Sequence, residues 1–490
     1  MKPIDNLLNR ITMYRLVLYY LLVLLAAALF FCTIKVLPYS GLQLFQTTLI
    51  LLIVSLAVNK IISSILKIPV NAESDYITAF ILALIITPGS SIWFLVVVAA
   101  VAQASKYILA YRGKHIFNPA AVAVLIAYYA MQQGASWWIG GVYMLPFVVI
   151  GGFLVIRKIQ RFDLTLSLLT VVLAIYIFQY QGSGLRSVME SLVVNSSLLF
   201  FTFVMLTEPM SSPARRTPRI IYGAIVGFFY STNFNLGNIY MSPELALILG
   251  NVFSFIVSSK GRVQLMLKSQ LEIASSVVHF NFQPSRSLVY QPGQYMDWTL
   301  DPQHSDTRGN RRYFTIASSP TEQDVMLGVK FYEKPSTFKQ KLRALEVGRV
   351  VMSGQVAGDF TLPKDKTQKL IFIAGGIGIT PFRSMIKYLI DQNEKRDIVL
   401  FYSNKNETEV VYKEILDEAG SKLGVKIVYV LTDKVGYLNA EMIKAQAPDF
   451  NQRIFMISGP RSMVVAFEDL LKSLGVAKHH IKVDFFPGFV

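Results

Sequence analysis

Long apolar runs alternate with short polar breaks along the first half of the chain, and past about residue 262 this pattern stops. Ten apolar segments stand out, at about 14–37, 41–58, 76–87, 91–110, 119–131, 138–156, 163–180, 191–206, 219–234 and 242–258. Each reads as a membrane helix. Several are shorter than the roughly 20 residues of a simple span, which predicts that they borrow flanking polar residues or enter as broken helices. From about Val263 short β-rich runs follow, to about Leu362. After them come the strand patterns Leu370–Ala374, Ile398–Tyr402, Lys426–Leu431 and Ile454–Ile457, separated by helical stretches. That alternation predicts a parallel sheet with crossover helices.

Composition sharpens the division. The 490-residue chain is 53% hydrophobic and 16% charged, with a mean hydropathy of +0.45, far too apolar for a soluble protein of this size. Residues 1–262 hold seven acidic side chains against eighteen Lys and Arg, and residues 263–490 hold 24 against 29. The net charge of +16 therefore reflects membrane orientation, and nucleic acid is excluded as a partner. With the N-terminus in the cytoplasm, sixteen basic residues fall in inside loops, and only Lys35 and Arg186 fall outside. This positive-inside signal predicts a multi-pass protein of the cell (inner) membrane. Ten spans then return the C-terminal half to the cytoplasm. A single cysteine, Cys32, excludes an intramolecular disulfide and any Cys-ligated zinc or iron–sulfur site within the chain. The first apolar run has no convincing cleavage site, so no removable signal peptide is expected.

Two polar breaks look functional. Lys114-His115-Ile116-Phe117-Asn118-Pro119-Ala120-Ala121 enters a helix at a first-turn proline, whose missing N–H is harmless there. Leu206-Thr207-Glu208-Pro209-Met210-Ser211-Ser212-Pro213 puts a carboxylate at a helix end. Either these are cytoplasmic turns, or irregular backbone lines a cofactor or ion cavity. Together with Thr78-Ala79-Phe80, Thr87-Pro88 and Arg219-Ile220-Ile221-Tyr222-Gly223-Ala224, the two breaks make residues 70–260 resemble the RnfD/NqrB family. That resemblance implies a flavin-carrying membrane subunit in a lipid bilayer, with other electron-transport subunits as partners. The family usually esterifies FMN to a Thr in an outer loop. The equivalent loop here, Met131-Gln132-Gln133-Gly134-Ala135-Ser136, has no Thr. The resemblance therefore implies a non-covalent flavin, FMN or riboflavin, near Asn118.

The C-terminal half carries its own motifs. Arg312-Tyr313-Phe314-Thr315 on one strand suits FAD: the guanidinium meets pyrophosphate, a ring packs by the isoalloxazine, and the hydroxyl reaches the flavin ring edge. Ser336 and Thr337 open a helix whose N–H groups could reach the same pyrophosphate. Gly375-Gly376-Ile377-Gly378-Ile379-Thr380-Pro381 is a glycine-rich turn between strand and helix, the context for a dinucleotide pyrophosphate. Ser458-Gly459-Pro460-Arg461-Ser462-Met463 follows the last strand pattern. These motifs, in this order, resemble the ferredoxin–NADP reductase superfamily across residues 263–490.

The resemblance implies an FAD-binding antiparallel barrel over 263–362 and an NAD(P)-binding α/β domain over 363–490, after a transmembrane domain over 1–262. It further implies cofactor contacts from Gly375, Gly376, Gly378, Thr380, Pro381, Gly459, Pro460 and Met463, with Thr315, Ser458 and Phe486 beside the reacting rings. Ser458 stands where many members carry Cys, which should weaken nicotinamide positioning without abolishing it. A terminal Phe, Phe486, would cover the flavin ring; the alternative is a core aromatic. Ser403 and Lys405 follow the second strand pattern, where a 2′-phosphate would lie, and NADH and NADPH both remain open.

The combined expectation is a membrane-bound oxidoreductase drawing electrons from NAD(P)H through FAD to a membrane flavin, a quinone or another acceptor. The alternatives are a redox-driven ion-translocating subunit and a membrane-anchored reductase of a soluble ferredoxin or flavodoxin. Of five His, only His115 lies in the membrane half, which excludes a bis-His haem pair there. No metal-binding pattern is present, nor any Ser-His-Asp pattern.

Overall fold

The computed structural model describes residues 11–66, 72–179, 184–194, 197–232, 234–237, 239–258, 261–300 and 310–484, together with Ile4 and Leu8. The chain divides into two compact units between Gly261 and Arg262. Unit one is helical, and a helix coincides with each of the ten apolar segments. Among the described residues three helices, Met13–Thr33, Gly41–Leu66 and Phe162–Gln179, are long and apolar enough to cross a membrane. A fourth such span is formed if the bent pair Ser187–Val193 and Leu198–Met205 counts as one. Shorter apolar helices, Ile92–Ile108, Pro119–Met131 and Pro243–Val257, pack among them.

Helix contacts in this unit depend on small residues, as they must where neighbouring side chains are no more apolar than lipid. Gly223 and Gly227, one turn apart on the helix Arg216–Ser231, face the helix Phe162–Gln179. A Cβ at these positions would come within 2.6 Å of the Leu164 carbonyl oxygen and 2.9 Å of that of Leu168. The two backbones therefore touch. Helix starts are set locally: Ser91, Asn118 and Ser242 each accept a hydrogen bond from an N–H in the first turn.

Unit two starts with a six-stranded antiparallel sheet. Its strand order is Arg311–Thr315, Tyr295–Thr299, Val350–Ala357, Val263–Ala274, Val277–Pro284 and Val325–Lys330. Alternating positions such as Val263, Leu265 and Leu267 point into a core with Phe280, Phe282 and Trp298. A five-stranded parallel sheet follows, ordered Lys426–Leu431, Ile398–Asn404, Leu370–Gly375, Ile454–Ser458 and Ile481–Val483. Its central strand is buried at every position, as expected when helices cover both faces.

Candidate functional site

The parallel sheet runs outward in both directions from its first strand, Leu370–Gly375. The second and third strands lie on one side of it, and the fourth and fifth on the other. Such a reversal opens a crevice at the carboxyl ends of the two strands that flank it. Here those strands end in Gly375-Gly376-Ile377-Gly378 and in Ser458-Gly459-Pro460. Ala374 and Ser458 are register partners. The turns are packed so closely that side chains would not fit. A Cβ on Gly378 would lie 2.4 Å from the Ser458 carbonyl oxygen and 2.6 Å from the Gly459 backbone, and one on Gly375 would lie 2.4 Å from Met463 Sδ. Thr380 Oγ1 donates to the Ile377 carbonyl, and Pro381 occupies the first turn of the helix Thr380–Asp391. Gly375 is also the register partner of Ser403, and Lys405 is exposed one residue beyond that strand.

Ser458 is buried and donates from Oγ to Asp484 Oδ2 at 3.0 Å. Asp484 Oδ1 is buried with no hydrogen-bond partner among the described residues. Burial pushes the Asp484 carboxyl up to about 7, against the pull of the Ser458 hydroxyl. Sequence reading missed Asp484, because nothing local marks a carboxylate as the partner of a residue 26 positions earlier. Phe486 lies outside the described residues.

The Arg312 strand organises the other half of unit two. Alternation puts Arg312 and Phe314 on one face, Tyr313 and Thr315 on the other. The Arg312 guanidinium lies 5.4 Å from the Phe338 ring centroid, the Phe314 ring lies tilted at 5.8 Å from the same ring, and Arg312 Nη1 donates to the Arg311 carbonyl. Phe338 belongs to the short helix Thr337–Arg343, which is capped by Ser336 Oγ accepting from Lys339 N. One N–H of that helix end is thus already used. Tyr313 meets Tyr295 edge-on at 5.5 Å, and Thr315 is buried as the register partner of Tyr295.

Arg383, buried on the helix Thr380–Asp391, donates to both oxygens of Glu322 and to the Ala317 carbonyl. Ser384 Oγ donates to the Ser318 carbonyl at 2.6 Å. These bonds clamp the nucleotide-turn helix to the loop that follows Thr315. Sequence reading missed them too, since partners more than 60 residues apart leave no spacing signal. His279 is half-buried nearby. Desolvation first and the Arg383 charge second lower its pKa to about 4, so it is neutral at physiological pH.

In unit one the two polar breaks meet. Glu208 Oε1 lies 3.0 Å from His115 Nε2, while Oε2 accepts from Asn118 Nδ2 at 3.0 Å and from Ser211 Oγ at 2.8 Å. Asn118 Oδ1 caps its own helix by accepting from Ala121 N, and its backbone N–H donates to Asn251 Oδ1. Asn251 in turn donates to the Ser211 carbonyl and to Tyr222 Oη. Both ends of the Asn118 amide are thus engaged within the protein. A small open recess adjoins this junction, lined by Lys114, His115, Ser211 and Phe255 among others.

Comparison with known proteins divides the chain the same way. Residues 134–262 match the NQR2, RnfD, RnfE family, and residues 372–469 match the oxidoreductase NAD-binding domain. This chain fuses the two. Among curated relatives, Flavohemoprotein A of Dictyostelium discoideum is 25% identical over 243 residues, which is 46% of this chain and 60% of that protein. The glycine betaine monooxygenase reductase subunit of Pseudomonas aeruginosa is 26% identical over 216 residues, which is 39% of this chain and 55% of that protein. The chain thus spans little more than half the length of these relatives. Among solved structures, the flavohem-like FAD/NAD binding domain of nitric oxide dioxygenase from Vibrio cholerae aligns with a TM-score of 0.41 at 22% identity, covering 46% of this chain and 98% of that one.

The fusion makes the Asp484 environment testable by pH. The unfolded chain releases this proton near the ordinary Asp value of about 3.9, whereas the folded chain holds it to about 7. Stability from this group is therefore fully present below about pH 4 and is lost as pH rises through 7. Thermal melts of wild type and Asp484→Asn should converge near pH 4, with the variant gaining on wild type by pH 8. Parallel curves across that range would show that Asp484 is not buried as described.

Proposed function

We propose that this protein is a membrane-bound NAD(P)H oxidoreductase. In this reading it passes electrons through FAD to a flavin or quinone-type acceptor held in its helical unit. The observation that carries the reading is the glycine cradle where Gly375 and Gly378 meet Ser458 and Gly459 at the sheet reversal, with Gly376 left-handed between them. A Cβ would fill that cradle, and backbone N–H groups so placed suit a dinucleotide pyrophosphate. Bound FAD would supply the conversion of a two-electron hydride into single electrons.

The residues of the chain then have distinct tasks. Arg312, held by Phe338, offers charge to the FAD pyrophosphate, and Thr315 offers a hydroxyl at the ring edge. Ser458, oriented by Asp484, flanks the nicotinamide, and Ser403 and Lys405 flank the adenosine ribose. Phe486 would shield the flavin ring. The proposed domains are a transmembrane domain over 1–262, an FAD-binding barrel over 263–362 and an NAD(P) domain over 363–490. Ten spans, with both termini in the cytoplasm of an inner-membrane protein, follow from the loop charges. An acceptor beside Asn118 and Glu208 would then lie on the cytoplasmic side of the bilayer, read by the second Asn118 amide hydrogen.

The test uses the purified full chain with NADH and NADPH, and either ferricyanide or a short-chain quinone as acceptor. Wild type should reduce both. Asn118→Leu should slow quinone reduction by about tenfold or more, the loss of roughly 1.4 kcal/mol, and leave ferricyanide reduction intact. A chain inert with ferricyanide overturns the reductase assignment. Equal quinone rates in both proteins overturn the membrane acceptor.

A further inference from the structure

A second polar cluster lies within the helical unit. Asp75, on the helix Ala72–Ile85, is buried and pairs with Lys106 Nζ at 3.1 Å from Oδ1; the two side chains are 3% and 10% exposed. The Lys106 ammonium also donates to Ser74, to its carbonyl and to its Oγ, at 3.2 Å each. Asp75 Oδ2 accepts from Asn59 Nδ2, and Asn59 Oδ1 accepts from Tyr107 Oη. Lys106 counted as a loop charge in the sequence, but the structure puts it inside the helix Ile92–Ile108.

A buried ion pair among apolar helices costs stability that an apolar pair of equal volume would not. Inside a membrane unit such a pair points to function. Two further observations extend it. On the helix Gly41–Leu66 the buried positions Thr47, Leu51, Ser55, Asn59 and Ser63 recur every four residues, so they form one stripe. One turn along from Asn59 and Lys106, Ser55 Oγ and both amide atoms of Gln103 are fully buried with no hydrogen-bond partner among the described residues. Unsatisfied groups like these call for small polar guests such as water. Leu51 interrupts the polar positions one turn beyond Ser55, and the next one, Thr47, is taken up by the Gly89 N–H at 3.0 Å, so the file closes at that end. Glu73, two residues before Asp75 on the same helix, bonds Arg15 at 3.0 Å. Lys106 is also within weak electrostatic reach of Glu208 in the Asn118 junction.

We propose that Asp75 and Lys106, with Asn59 and the hydrated file at Ser55 and Gln103, form a blind proton-uptake site. It takes up one proton as the acceptor is reduced, from the side of the membrane bearing Ser63 and Lys106. The balance is NAD(P)H + H⁺ + A + Asp75-COO⁻ → NAD(P)⁺ + AH⁻ + Asp75-COOH, where A is a quinone-type acceptor. The hydride's own proton is released to water when its electrons pass on singly, so both protons are drawn from water, one by the acceptor and one by Asp75, where it stays. Asp75 takes up the incoming proton, and the positive charge it brings offsets the electrons arriving at the junction. A blind file loads a proton without passing it across the bilayer.

This inference rests on the acceptor reading above, and the two are separable by experiment. The full chain in detergent is reduced with dithionite, and its reduced-minus-oxidised infrared spectrum is recorded. A protonated-carboxyl band should appear in wild type, shift in Asp75→Glu and vanish in Asp75→Asn. In the rate assay Asp75→Asn should lose at least about tenfold in quinone reduction, a difference of roughly 1.4 kcal/mol, with ferricyanide reduction unchanged and Asp75→Glu partly restored. Ferricyanide needs no proton, so it reports folding and flavin loading. If wild type reduces quinone and Asp75→Asn keeps both the band and the rate, the cluster is helix-packing polarity only and the inference falls. If wild type reduces ferricyanide but no quinone, the acceptor reading fails, and an absent Asp75 band overturns the proton site as well.

Discussion

Gly378→Ala is expected to raise the KM for NAD(P)H by tens of fold or more and to lower the melting point of the parallel-sheet half. Its added methyl would sit 2.4 Å from the Ser458 carbonyl oxygen and 2.6 Å from the Gly459 backbone. Those obstacles are backbone atoms, so no rotamer change relieves the clash. The carboxyl ends of two adjacent strands must move apart instead. Overpacking of this kind costs about 1–3 kcal/mol or more. The crevice widens at the point where the cradle should grip a pyrophosphate. Gly376→Ala is the control: its Cβ would meet nothing within 4 Å. It pays only for a left-handed backbone at φ 51°, about 1–2 kcal/mol. Steady-state kinetics with ferricyanide and thermal melts of both variants decide the matter. Equal behaviour of the two would mean that the Gly378–Gly459 approach is not tight.

Glu208→Leu is expected to be the most damaging single change in the helical unit. Its carboxylate serves His115, Asn118 and Ser211 at once. Removing it leaves three polar groups without their acceptor in a half-buried junction. Each unsatisfied donor costs about 1–3 kcal/mol when fully buried, and less here because the Glu208 side chain is 23% exposed. Even so, a loss of several kcal/mol is comparable with the total stability of an average domain, about 5–15 kcal/mol. Glu208→Gln keeps one acceptor oxygen and should lie between wild type and the Leu variant. Adding His115→Ala to Glu208→Leu should cost less than the two changes summed, because the His has already lost its partner. Size-exclusion profiles after a temperature ramp would check this ordering. A Leu variant as heat-resistant as wild type would show that the junction bears no structural role.

Much of this was legible along the chain because it is written in local periodicity. Apolar runs located a helix at each of the ten segments. The strands were visible from β-branched runs between glycine turns, and Lys426–Leu431 fell where the pattern put it. Asn118 and Pro119 announced a helix start by capping chemistry alone. The cradle glycines were recognisable because a turn between strand and helix has few residue choices.

What the sequence could not determine was which distant side chains meet. Lys106 reads as one more positive loop charge, yet it is buried against Asp75, 31 residues away. Lys158 and Arg161 were counted the same way and are also buried. Glu208 and His115 each look like turn residues until the folding of the helices closes them to 3.0 Å. Ser458 looks like a weakened Cys position, and only the fifth strand of the parallel sheet brings Asp484 to its hydroxyl. In each case the chemistry depends on burial and on a partner far away in sequence. Burial decides whether a carboxylate needs a partner, and helix packing and strand order decide which partner it has. Local composition therefore determined the elements and the kind of chemistry, while the tertiary structure decided which charges are solvated and which must be satisfied inside the protein.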